Sequence, residues 1–228
     1  MASRLLEGWT RPRRERVRKI RDRLREMYGR PANQPHLDPV HELVLTILSQ
    51  NTSDGNRDRA YALLRSRFSS WDEVAAAPTA DVEDAIRPGG LAPTKAPRIQ
   101  AVLRELDGDD LKWLADADPR EAVAHLTALP GVGRKTAACV MIFSFDVPEI
   151  PVDTHVHRVG ARLGMFPEGL ALEAAHDEML AIVDPADAYE LHMNLIAHGR
   201  RLCRPNPRCG ECELRRLCPW YRDHARSG

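Results

Sequence analysis

The sequence predicts an all-α fold, and three observations carry that reading. Hydrophobic residues make up 43% of the chain, many of them Ala and Leu, while aromatic residues reach only 5%, a composition that favours helix over strand. Apolar residues recur at helical spacing, and no stretch of any length alternates with period two. Gly and Pro clusters punctuate these stretches at short intervals, as connections between helices require.

In chain order, Arg13–Met27 reads as a charged amphipathic helix with Val17, Ile20, Leu24 and Met27 at helical spacing. Gly29, Pro31 and Pro35 make the next segment a linker. His41–Leu48 is an apolar helix that ends at the polar cluster Ser49–Asp54, where Asp54 is the expected cap of a helix running to Phe68. Short helices are expected at Trp71–Ala76 and Thr79–Ile86, stopped by Pro88-Gly89-Gly90. Lys95–Leu106 and Pro119–Thr127 follow. Leu129-Pro130-Gly131-Val132-Gly133 then turns the chain into an Ala-rich apolar helix, Arg134–Phe145. Beyond a break with two prolines at 147–152, helices are expected at Asp153–Leu163, Leu172–Val183 and Pro185–Arg201, with no internal repeat.

The 228 residues suffice for one large domain or two small ones. No apolar run approaches membrane-spanning length, and no apolar stretch follows the basic N-terminus as it would in a secretory signal. A cytoplasmic location is therefore expected, nucleoid-associated if the source is prokaryotic. The formal net charge is zero, yet residues 1–30 carry +7, residues 198–228 carry +5 and the middle carries −12. Arginine-rich ends suit phosphates; they also suit a solvated helix and tail with no partner.

Two glycines in the turn after Leu129 are expected to permit backbone angles closed to other residues and to leave amides bare at a helix start, where an anion is favoured. A tight turn explains the same glycines. Lys135 adds weight to the first reading. Among 33 Lys and Arg only four are lysines, at 19, 95, 112 and 135. Arginine stays protonated, whereas an amine can lose its proton and attack carbon. Asp153 is placed to cap the helix that begins Thr154-His155. Cys203, Cys209, Cys212 and Cys218 read C-x5-C-x2-C-x5-C, a set able to hold zinc or a 4Fe–4S cluster. Cys139 lies in the apolar helix and reads as a buried small hydrophobe.

LPGVGRKTA (129–137) followed by VDTHVHRV (152–159) resembles the helix–hairpin–helix signature of endonuclease III-type DNA glycosylases. SQNTSD, GLAPTKAPRI and HGRRLC extend the resemblance from about Pro39 to Cys218. It implies a two-lobed fold, with a six-helix barrel at 37–146 bearing the hairpin and an iron–sulfur cluster lobe from 1–36 and 147–228. DNA would lie in a cleft between the lobes. The expected activity is that of a monomeric glycosylase and AP lyase acting on double-stranded DNA with a damaged or missing base. Oxidised pyrimidines would be removed after base flipping and the strand cut 3′ to the lesion by β-elimination. The resemblance makes Lys135 the nucleophile and Asp153 the carboxylate that stabilises charge on the sugar and assists proton transfer. It places Gly131, Val132, Gly133, Arg134 and His155 on DNA, and it favours the cluster over zinc. Leu91 and one of Gln50 or Asn51 would fill the space left by the flipped base.

Two departures accompany the match. The first cysteine gap is one residue shorter than the usual C-x6-C, and Ala92-Pro93 replaces the usual Tyr-Asn. Mismatch and adenine glycosylases share the fold and metal, but many lack the lysine, and adenine-specific ones carry an extra C-terminal domain that the ten residues after Cys218 are too few to form. A non-catalytic helix–hairpin–helix DNA-binding protein is the alternative from another class; the pairing of Lys135 with Asp153 speaks against it.

Overall fold

The computed structural model describes residues 5–7 and 9–224, and every regular element among them is helical. Residues 1–4, 8 and 225–228, which belong to the expected terminal lobe, lie outside the described residues. The chain divides into two compact units. One is Pro35–Val147, and the other joins the preceding residues to those from Pro148 onward.

The continuous unit holds α2 (Pro39–Ser49), α3 (Asp54–Arg67), α4 (Trp71–Ala76), α5 (Thr79–Ile86), α6 (Ala92–Leu106), α7 (Pro119–Ala128) and α8 (Arg134–Phe145). One apolar core runs through all of them, including Leu43, Ile47, Leu64, Val82, Ile99, Leu126 and Val140. Residues 136–142 of α8 are buried on every side, as a helix apolar all round must be. α8 is thus the stiff central element, and its first turn carries Lys135.

Several boundaries differ from the sequence reading, among them the start of the helix that ends at Arg201, which lies at Ala188 instead of Pro185, and two differences concern the loops near the hairpin. Ser53, not Asp54, caps α3, its hydroxyl accepting from Asn56 N at 3.3 Å. α6 begins three residues earlier than expected, at Ala92. Pro93 lies in its first turn, where a missing N–H costs nothing, and Leu91 supplies the left-handed residue ahead of it at φ 52°. That conformation is uncommon for a non-glycine residue, so the sequence did not announce it.

The other unit contains α1 (Arg14–Tyr28), α9 (Thr154–Arg162), α10 (Leu172–Ile182), α11 (Ala188–Arg201) and α12 (Pro219–His224). α1 buries Val17, Ile20 and Leu24 and packs on α11, which also packs on α9. A second face of α1 is electrostatic. Arg25 makes two 2.7 Å bonds to Glu190, Arg18 bonds Asp184 at 2.7 Å, and Arg21 pairs with Asp187. Just ahead of the helix, Arg11 bonds Glu178 at 2.8 and 2.9 Å. Much of the basic N-terminal charge is therefore spent inside the unit on the acidic middle of the chain.

Candidate active site and metal centre

The turn between α7 and α8 is built by one glycine, not two. Gly131 has φ +71°, and a Cβ there would stand 2.9 Å from Arg98 Nε. Gly133 adopts an ordinary extended conformation, φ −95° and ψ 176°, so the expectation of special angles at both positions fails. It serves instead as an N-cap without a side chain, with nothing within 4 Å of a Cβ. No side chain of the N-cap residue bonds the first turn of α8. Val132 anchors the turn: its side chain is buried and its N–H donates to Leu129 O at 3.1 Å.

Arg134 and Lys135, both half-buried, open the helix. Cys139 lies one turn further on. Burial raises its thiol above the ordinary cysteine value; the charge of Lys135 opposes this and that of Glu42 adds to it. Cys139 is buried, as expected, and it also lies within reach of the lysine's charge. Behind it Thr46 donates to Glu42 Oε1 at 2.8 Å, and His36 Nε2 approaches Glu42 Oε2 at 3.4 Å. The sequence reading missed this row because α2 and α8 are distant in the chain.

Two further loops in the same unit are tied to this turn. Lys95, 2% exposed, donates from Nζ to Leu48 O at 2.7 Å and to Gly89 O at 2.8 Å. It thereby links the end of α2 to the loop that carries Leu91, and burial lowers its pKa. Arg98 donates to Gln50 Oε1 at 2.8 Å while packing against Gly131. Gln50 is thus held from within. Asn51 is exposed at φ 52°, and Leu91 is 53% exposed at the same φ. GLAPTKA, read for its leucine alone, also contains the lysine that positions it.

In the other unit Asp153 is the N-cap of α9, with Oδ1 accepting from Val156 N at 2.7 Å. The cap that the sequence allowed is real, and it occupies one of two carboxylate oxygens. His155, half-buried, pairs through Nδ1 with Arg158 Nη2 at 3.1 Å. A Cβ on Gly199 would come within 2.9 Å of His155 Cβ, so α9 and α11 meet there at glycine distance.

Cys203, Cys209, Cys212 and Cys218 all line one cavity, with Leu163, His198, Leu202, Leu214, Trp220 and Tyr221 among its walls. None is in a disulfide. The surroundings are dry. Burial pushes Cys212 up to about 11 and Tyr28 up to about 12, and holds His198 down at about 4. Tyr28 OH meets His198 Nδ1 at 2.9 Å, and Nε2 of the same ring lies 3.6 Å from Cys212 Sγ. Among the described residues no three His, Cys, Asp or Glu side chains form a group able to hold a metal ion. The shortened first gap has a physical account as well. Arg158 Nε donates to Cys203 O at 2.9 Å, and Arg162 donates to Arg204 O at 2.7 Å and Pro205 O at 2.9 Å. Two arginines of α9 thus hold the turn that follows the first cysteine.

Comparison with known proteins accords with these features. The model of the HhH-GPD superfamily base excision DNA repair proteins matches residues 44–180. The chain is 36% identical over 206 residues to the endonuclease III of Thermotoga maritima, an alignment covering 89% of this chain and 93% of that protein. It is 33% identical over 203 residues to the endonuclease III of Escherichia coli, covering 88% and 93%. A solved structure of endonuclease III trapped as a covalent intermediate with DNA is similar at a TM-score of 0.79 and 27% identity, covering 94% of this chain and 99% of that one.

Proposed function

This chain belongs to the endonuclease III branch of the HhH-GPD superfamily of base excision DNA repair proteins, and we propose that it removes oxidised pyrimidines from double-stranded DNA and cuts the strand 3′ to the abasic site. It is a DNA glycosylase/lyase of base excision repair. The observation that carries the mechanism is the place of Lys135: the first turn of a rigid helix whose N-terminus no side chain caps. The N-terminus of α8 beyond Gly133, with its helix dipole, seats a backbone phosphate, which brings the sugar to the amine without reading sequence.

Neutral Lys135 attacks the anomeric carbon, the bond to the base breaks, and the base leaves with a proton. Opening of the sugar ring, in which the C1′–O4′ bond breaks and O4′ takes a proton, turns this adduct into a Schiff base; removal of a C2′ proton then expels the 3′ phosphate. Asp153 retains one oxygen outside its cap for the charge that develops on the sugar. Asn51 and Leu91 occupy the gap left by the flipped base. The engagement of Gln50 by Arg98 supports Asn51 over its neighbour.

The four cysteines that line one cavity would hold a 4Fe–4S cluster, the group the resemblance implies, with zinc as the alternative. A cluster bound there would order the cysteine segment.

Borohydride trapping on an abasic duplex tests the reading. Wild type is expected to give a covalent adduct and Lys135→Gln none, with duplex binding retained. Asp153→Asn is expected to keep the fold, because asparagine caps as well as aspartate, and to lose most turnover. Wild-type protein that binds the duplex normally without forming an adduct would refute the lyase mechanism.

A further inference from the structure

α1 carries cations on two faces, and the two faces meet different partners. Arg14, Arg18, Arg21 and Arg25 pair with acidic residues from Asp184 to Glu190. Arg13, Arg16 and Lys19 instead line a cleft of about 750 Å³ together with Arg215, Arg216 and Arg222, some 200 positions later in the chain. The cleft thus gathers six cations from the two basic ends of a chain whose net charge is zero. Glu15 is the one carboxylate in its lining, and it is paired with Lys19 at 2.8 Å. Among the described residues Arg13, Arg215 and Arg216 have no ion pair, and all three are exposed.

The floor of the cleft is built, not incidental. Arg16 Nη2 donates to Leu163 O at 2.6 Å and to Leu217 O at 2.8 Å, tying α1 to the segment after α9 and to the cysteine segment. Burial works against its protonated form, Cys218 favours that form, and the charge of Arg222 opposes it more weakly. Leu217, Pro219 and Tyr221 supply apolar wall between the guanidinium groups. Arg222 pairs with its neighbour Asp223 at 2.9 Å, but six cations against one lining carboxylate still leave an excess of like charge, which destabilises a free protein. Arginines spread along an open groove and interleaved with apolar and aromatic surface match a run of phosphates and sugars rather than one small anion.

We propose that this cleft is a second seat for the DNA backbone, binding phosphates regardless of whether a lesion is present. The proposal rests on the glycosylase reading above. None of the lining residues belongs to the hairpin unit, so the seat would add affinity for undamaged DNA independently of the hairpin turn.

The test is equilibrium binding of the full-length, cluster-loaded protein to an undamaged duplex over a range of salt concentrations. Arg13→Ala/Arg216→Ala is expected to weaken binding about tenfold at low salt and to reduce the slope of log affinity against log salt by about 2. Arg14→Ala/Arg18→Ala, which removes equal charge from the paired face of the same helix, is expected to change both far less. Arg13→Lys/Arg216→Lys is expected to retain wild-type affinity, which separates charge from folding. Unchanged affinity and slope in the first variant would overturn the proposal, as expected of a cleft that receives an acidic protein segment. Equal losses from both faces would overturn it too. A wild-type protein with no duplex affinity would instead refute the glycosylase reading.

Discussion

Residues 35–147 and the terminal unit are held together by different means. The first has one continuous apolar core, with α8 buried on every side from 136 to 142. The second joins α1 to the acidic stretch 178–190 through bidentate arginine pairs, and holds its cysteine segment by arginine-to-carbonyl bonds. Of residues 202–218 only Leu214 is buried. So little apolar surface cannot offset the entropy of ordering seventeen residues. The difference teaches where each function can reside. The proposed nucleophile, Lys135, sits on the core-held helix, whereas the cysteine segment is held by bonds that the proposed cluster would complete.

The sharpest way to break this comparison is to remove a cysteine. Cys212→Ser is expected to abolish amide protection across 202–218 in hydrogen exchange while α2 to α8 keep theirs. Full protection of the segment would show that the arginine bonds suffice. Wild type is expected to be brown; a colourless protein loaded with zinc would exclude the cluster.

A smaller effect is expected in the core-held unit. Gly131→Ala places a side chain at φ +71° and against Arg98, which costs about 1–3 kcal/mol. Denaturant unfolding measures the loss, and trapping should slow because Arg98 is displaced from Gln50. A variant of wild-type stability would mean that the turn adapts.

The smallest expected effect concerns Lys95. Its folded pKa is depressed by burial, so between that value and the ordinary lysine value the unfolded chain binds more protons. Stability therefore rises with pH through that window. Lys95→Met should flatten the rise in chemical denaturation measured across alkaline pH, and it also leaves Leu48 O and Gly89 O without their donor. An unchanged slope would assign the rise to other groups.

The parts of the site legible in the sequence are those encoded locally. The α8 helix, the turn before it, the rarity of lysine and the cysteine spacing all lie within short windows. Gly133 differs from the expectation because a glycine in extended backbone and one at positive φ look alike in sequence. The start of α6 was misread because Leu91 adopts a conformation that its residue type disfavours. Cys139 is the buried residue its apolar helix suggests, while the nearness of Glu42 was hidden because that residue comes from another helix.

By itself the sequence determined the helical class, the hairpin with Lys135, the capping position of Asp153 and the grouping of four thiols, since periodicity, capping chemistry and spacing act over a few residues. Only the tertiary structure decided which arginines of α1 are neutralised and which meet Arg215 and Arg216 in an open cleft. It also decided that Arg98 holds Gln50 and leaves Asn51 exposed, and that Arg158 and Arg162 shape the shortened cysteine loop. A guanidinium is the same group at every position in a sequence. Its role is set by which carboxylates and carbonyls the packing of helices brings within hydrogen-bond reach.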